Sequence, residues 1–131
     1  MSNIVDLLAA IGAHLAGFEL PSVASIHITA GMPTPHITVQ PTHCDPATLA
    51  QGLLAWADTL TQITAHTWRV PHRDSVHLSI TGLLPDGASV LIYGGLPASR
   101  YGLGADLAPG ATTSIPLAAL RRTATEGEAR A

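Results

Sequence analysis

Along residues 4–18, apolar side chains return every three or four positions: Ile4, Leu8, Ile11, Leu15 and Phe18. That spacing predicts an amphipathic helix with one buried stripe. Ser2 or Asn3 can cap its start, and Gly17 and Pro21 mark its end. The period then drops to two. In residues 23–30, Ala24, Ile26 and Ile28 alternate with Ser25, His27 and Thr29; in 35–40, Ile37 and Val39 alternate with His36, Thr38 and Gln40. Two such runs around Gly31-Met32-Pro33-Thr34 predict an antiparallel hairpin. Keeping both apolar sets on one side sets His27 opposite Thr38.

Asp45-Pro46 opens a second helix, a capping carboxylate followed by proline at the first helical position. Its stripe is Leu49, Leu53, Trp56, Ala57 and Leu60. Three more strands follow, over residues 64–70, 75–82 and 88–94. Leu84-Pro85-Asp86-Gly87 predicts a tight turn with Gly87 left-handed, which pairs Ile80 with Ile92. Pairing Trp68 with Leu78 across the preceding loop gathers Trp68, Val70, Val76 and Leu78 on the apolar side. Beyond Pro97 the pattern fades into a glycine-rich loop over 101–110, a short strand or helix over 114–122, and a frayed end.

The order is α-β-β-α-β-β-β. It predicts an α+β, two-layer fold: an antiparallel sheet of about five strands with two helices on one face. Residues 1–110 form a single domain on this reading, and 111–131 a C-terminal extension whose last residues are flexible.

Composition narrows the function. Hydrophobic residues make up 47% of the 131, enough for one core. Charged residues are 11%, under half of the roughly 25% usual in soluble domains. Lysine is absent, all six basic residues are arginine and the formal net charge is −3, so there is no basic footprint for nucleic acid. The first residues carry no cationic leader, and no apolar run reaches the roughly 18 residues of a membrane span. Cys44 is the only cysteine, which excludes a disulfide framework and a cysteine zinc site. The default expectation is a cytoplasmic protein.

Seven histidines are the candidate chemistry. His27, His36 and His77 fall on the polar sides of their strands, and together they are the candidate metal ligands. No His-x-His or His-x-x-x-His spacing supports them, and no carboxylate stands on these strands to complete a site. His14, His43, His66 and His72 take no role. Asp74-Ser75-Val76-His77 holds the residue types of acyl transfer without a nucleophile elbow. Gly102-Leu103-Gly104-Ala105-Asp106 lacks the third glycine of a phosphate loop. Cys44 beside the Asp45 cap reads as an inert thiol.

The polar sheet face itself carries the main expectation. Ser25, His27, Thr29, His36, Thr38 and Gln40 from the first hairpin, with Thr67, His77, Ser79 and Thr81 from the second, are neutral. Arg69 is their single fixed charge, and Leu91 and Tyr93 add apolar area. Such a face dehydrates at lower cost than one of lysines and glutamates, and it can hydrogen-bond across an interface. The expected function is a non-enzymatic interaction module that binds a second copy or another protein through this face, without a cofactor. The alternative is a small-ligand or metal site at His27, His36, His77 and Arg69.

LAGFELPSVASIHI, HITVQP, the Trp-bearing LLAWADTL and DSVHLSITGLLPDGASVLIYGG together resemble small proteins, without an assigned activity, of high-GC Gram-positive bacteria. Some of these lie on mobile genetic elements. The resemblance covers roughly residues 5–110 and rests on overall pattern. It implies a bacterial or phage setting and a non-housekeeping role, and no residue roles come with it.

Overall fold

A computed structural model describes residues 3–31, 34–42, 45–97 and 107–129, with side chains as far as Thr125. Helix α1 spans Ile4–Gly17, strands β1 and β2 span Val23–Ile28 and Ile37–Pro41, and α2 spans Pro46–Ala57. Strands β3 (Thr61–Arg69), β4 (Ser75–Leu83) and β5 (Ser89–Pro97) follow, then β6 (Thr112–Ile115) and α3 (Leu117–Ala129). Among the described residues this makes an α+β fold of three helices and one six-stranded sheet, in the order β1-β2-β5-β4-β3-β6.

Both helix starts follow from their capping residues. Asn3 Oδ1 accepts from the Asp6 amide at 2.9 Å, and Asp45 Oδ1 accepts from the Thr48 amide at 2.7 Å. These bonds satisfy amides that the first turn leaves without helical partners. The bond from Thr48 also holds the Asp45 carboxyl below the usual carboxylate range.

The sheet is mixed rather than wholly antiparallel, because β2 and β5 run parallel, Ile37 beside Val90 and Val39 beside Ile92. α2 is the reason. It carries the chain over the sheet from β2 to β3, so β3 sets out in the same direction as β2, two strands short of it. β4 and β5 then fold back as hairpins into the gap. The turn between them closes with the Gly87 amide on the Leu84 carbonyl at 2.8 Å, Gly87 lying at φ 93°. The expected pairs His27–Thr38 and Ile80–Ile92 are both present.

All three helices contribute to one core on one side of the sheet. Val76, Leu78, Ile80, Val90, Ile92, Ile37 and Val39 are buried together with Leu53 and Trp56 of α2 and Leu120 of α3. The expected α2 stripe is buried in full, Leu49 to Leu60. Beyond residue 110, β6 pairs with β3, and α3 packs beside α2 with Leu120 fully enclosed. The described part of this segment lies at the β3 edge and on the helical side, so it leaves the opposite face uncovered.

α1 is rotated from its expected orientation. Leu7, Ile11 and His14 face inward, while Ile4, Leu8 and Phe18 are 42%, 53% and 46% exposed. Bonding and stacking account for the buried place of His14. Its Nε2 lies 2.7 Å from Thr59 Oγ1, and its ring stacks on Trp56 with centroids 5.6 Å apart. Thr59 Oγ1 already donates its one proton to the Trp56 carbonyl at 2.8 Å. It therefore accepts from His14, which fixes the proton on Nε2.

Strand β3 departs from expectation in register. Trp68 pairs with His77 and Thr67 with Leu78, one residue away from the expected alignment. Because side chains alternate, one step exchanges the faces of the whole strand. Thr67 and Arg69, expected on the polar face, turn toward the helices, and Trp68 turns away from them. Thr67 is fully buried, and its Oγ1 has no hydrogen-bond partner among the described residues. Thr67→Val keeps the shape and removes that hydroxyl. A gain of about 1–2 kcal/mol is expected, read as a higher urea midpoint at unchanged slope.

Candidate functional site: the open face of the sheet

The side of the sheet away from the helices is built by alternate residues of every strand, and the ladder pairings arrange them in rows. One row runs Ser114–His66–Ser79–Tyr93 from β6 to β5. β2 continues it with Gln40, which pairs with Ser25 of β1. Gln40 Oε1 stands 3.4 Å from Ser25 Oγ and 3.5 Å from Tyr93 OH, long contacts that link the row. A second row is Thr64–Thr81–Leu91–Thr38–His27. A third is Thr112–Trp68–His77–Gly95.

Three aromatic rings meet on adjacent rows. The Trp68 and His77 rings touch edge to face at 5.1 Å, and His77 stacks on Tyr93 at 5.0 Å. Such arrangements suit the ring quadrupoles. Gly95, the strand partner of His77, lies against the imidazole, where a Cβ would stand 3.4 Å from Cδ2 in ordinary contact. With Ser79 and Leu91 the rings line a shallow depression of ≈ 340 Å³. Desolvation by burial lowers the His77 pKa below the usual imidazole range.

Of the expected interface residues, Ser25, Thr38, Gln40, Ser79, Thr81 and Tyr93 stand on this face. Thr29 follows β1 and donates its amide to the His36 carbonyl at 2.8 Å. Thr67 and Arg69 do not belong to the face. Arg69 lies beside Val76 on the helical side, where its Nη2 meets Asp74 Oδ1 at 3.2 Å. Without it, no described open-face residue is Asp, Glu, Lys or Arg. Sequence reasoning missed Trp68 and His66. The four-residue loop 71–74 was the available signal, since pairing outward from Val70 and Ser75 brings Trp68 to His77.

His27, His36 and His77 share the face without converging. Three strand spacings separate His27 from the Thr81 position of β4, about 14 Å, and His77 lies four residues further along, about another 13 Å. His36 turns to Ser89, with Nδ1 3.2 Å from Oγ. Among the described residues no three His, Cys, Asp or Glu side chains are grouped to hold a metal ion. With Arg69 on the other side, the alternative four-residue ligand site is not assembled. Asp74 is bonded to Arg69, and among the described residues no hydrogen bond joins Asp74, Ser75 and His77. Cys44, His43 and the Gly102–Asp106 stretch lie outside the described residues.

Among the described residues no helix is long and apolar enough to cross a membrane. Compared with models of known families, with curated proteins and with solved structures, the chain matches none of them.

Proposed function

We propose that this chain is a non-enzymatic interaction module that self-associates, the open face of one copy stacked on that of a second. The carrying observation is the complete absence of fixed charge from the described open face, together with a half-exposed Trp68–His77–Tyr93 cluster across β3, β4 and β5.

A twofold contact sets one patch against itself, so any fixed charge near the axis meets its own copy. A neutral face avoids that repulsion, and its Ser, Thr and Gln groups can donate and accept reciprocally. The area is also sufficient. Six strands span about 29 Å, and the nine-residue strands β3, β4 and β5 about 30 Å each. With shorter edge strands this gives roughly 600–700 Å² of flat surface, close to the roughly 800 Å² per partner of a standard stable interface. Trp and Tyr are the side chains most enriched at such centres. A bacterial or phage setting and a cytoplasmic location belong to this proposal.

Ser79→Arg tests it. Ser79 sits between His66 and Tyr93 in the middle of the face, where arginine would bring two like charges together in a dehydrated contact. By sedimentation, the parent should be a dimer at micromolar concentration and neutral pH. Ser79→Arg should weaken self-association at least about 100-fold with unchanged circular dichroism. Ala9→Arg, on the exposed side of α1, should associate like the parent. A monomeric parent at 100-fold higher concentration, or a Ser79→Arg chain that dimerises normally, would overturn the reading.

A further inference from the structure

Four of the seven histidines stand on the open face: His27, His36, His66 and His77. We propose that contact through this face is released by protons, because the face gathers these four imidazoles and its described residues offer no acidic side chain to receive their charge. The inference rests on the stacked dimer proposed above and adds its regulation.

Each imidazole has neutral neighbours. His77 is flanked by Trp68 of β3 and Tyr93 of β5, with Gly95 opposite it. His66 lies between Ser79 of β4 and Ser114 of β6. His27 faces Thr38 of β2, and His36 contacts Ser89 of β5. Tyr93 is the only other titratable group in these rows. Among the described residues, Asp74 pairs with Arg69 in the turn before β4, and Asp86 accepts from the Ala88 amide at 3.0 Å in the turn before β5. Both lie beyond strand ends and already have partners. No described helix packs on this side; His27 is exposed, and His36, His66 and His77 are half-buried in the single chain. A second sheet laid over them would exclude the water that solvates an imidazolium. It would also bring only further histidines to meet it.

The sign follows from linkage. Histidines that the dimer keeps neutral have lower pKa values in the dimer than in the separated chains. Above the ordinary imidazole range both states are neutral, and association is at full strength. As pH falls through that range, the separated chains take up protons first and the dimer weakens. If only the two copies of His77 respond, the dissociation constant rises toward about 100-fold for each pH unit once the pH is below the lowered pKa of His77 in the separated chain.

Sedimentation at constant ionic strength from pH 7.5 to 5.5 reads this directly, with circular dichroism at each pH to show that the chain stays folded. The parent dissociation constant should rise about 100-fold or more. In His77→Gln the rise should be at least tenfold smaller, and in H27Q/H36Q/H66Q/H77Q it should vanish. A parent that dimerises at pH 7.5 and equally at pH 5.5 overturns this inference and leaves the stacked dimer standing. A pH dependence that survives in the fourfold variant also overturns it. A parent that is monomeric at pH 7.5 removes the dimer itself, and the inference with it.

Discussion

Gly94→Ala should lower the unfolding free energy by about 2–3 kcal/mol, and most of that loss should depend on a single partner, Leu49. Gly94 of β5 pairs with Leu78 of β4 and faces the helices. A Cβ there would lie 2.6 Å from Leu49 Cδ1, 2.9 Å from Cδ2 and 3.3 Å from Cγ. Leu49 is 3% exposed in the first turns of α2, surrounded by core side chains, so it cannot swing aside freely. The bare strand at Gly94 is what lets α2 lie so close to the sheet. Leu49→Ala alone should cost about 2–5 kcal/mol through the cavity it leaves. In the double variant the methyl introduced by Gly94→Ala occupies part of that cavity. Its total cost should therefore fall short of the summed single costs by more than about 1 kcal/mol. Urea unfolding of the four chains gives the coupling. Strict additivity would mean that Leu49 is not what Gly94 accommodates.

The sequence was most informative where one periodicity had one solution. In β1 and β2 the apolar set cannot be exchanged for the polar set without exposing Ile37 and Val39, and the register came out as the alternation requires. The tight turn at Gly87 did the same for β4 and β5. In α2, proline and a capping aspartate set the start, and no residue competes with Leu49, Leu53 and Trp56 for the inner face. The two failures share a cause: a side chain whose hydropathy misstates its place. His14 reads as polar and turned the expected α1 stripe outward. It is buried because Thr59 takes its proton and Trp56 its ring. Trp68 reads as core and pulled β3 one step out of register. It is outside because the short loop 71–74 sets the register, and there its ring packs on His77. The parallel pairing of β2 and β5 was not legible for a different reason. Local periodicity fixes which face a strand buries and says nothing about which neighbour it chooses.

The candidate site was legible to the same extent as its strands. β1, β2, β4 and β5 delivered their outward residues as read, so the neutral character of the face could be seen in advance. The β3 contribution was inverted, and the correction made the face more uniform, replacing Thr67 and Arg69 with His66 and Trp68. The metal reading failed because strand number and spacing decide whether histidines on one face can meet. Sharing a face does not bring three of them within reach of one ion.

His14→Leu should destabilise the protein most at neutral pH and progressively less as the solution is acidified. At pH 7.5 the substitution loses the bond to Thr59 and disturbs the stack on Trp56 and Phe18, whose rings lie 5.6 and 4.8 Å from the imidazole. That loss should amount to about 1–3 kcal/mol. Desolvation lowers the His14 pKa from its ordinary value of 6.5. Above 6.5 neither state binds the proton, so the histidine chain keeps its full stability. Below 6.5 the unfolded chain is protonated first, and stability declines until the pH passes the lowered folded value, where the decline stops. Leucine has no proton to bind, so its chain lacks this part of the decline, and the gap between the two narrows. Urea unfolding at pH 7.5, 6.5 and 5.5, done in the Ser79→Arg background to keep self-association out of the equilibrium, measures that gap. A gap that stays constant would mean that the folded chain protonates His14 as readily as the unfolded one, Nδ1 taking the proton while Nε2 keeps its bond to Thr59. A widening gap would mean that the buried imidazolium is stabilised by a partner absent from the packing around Trp56.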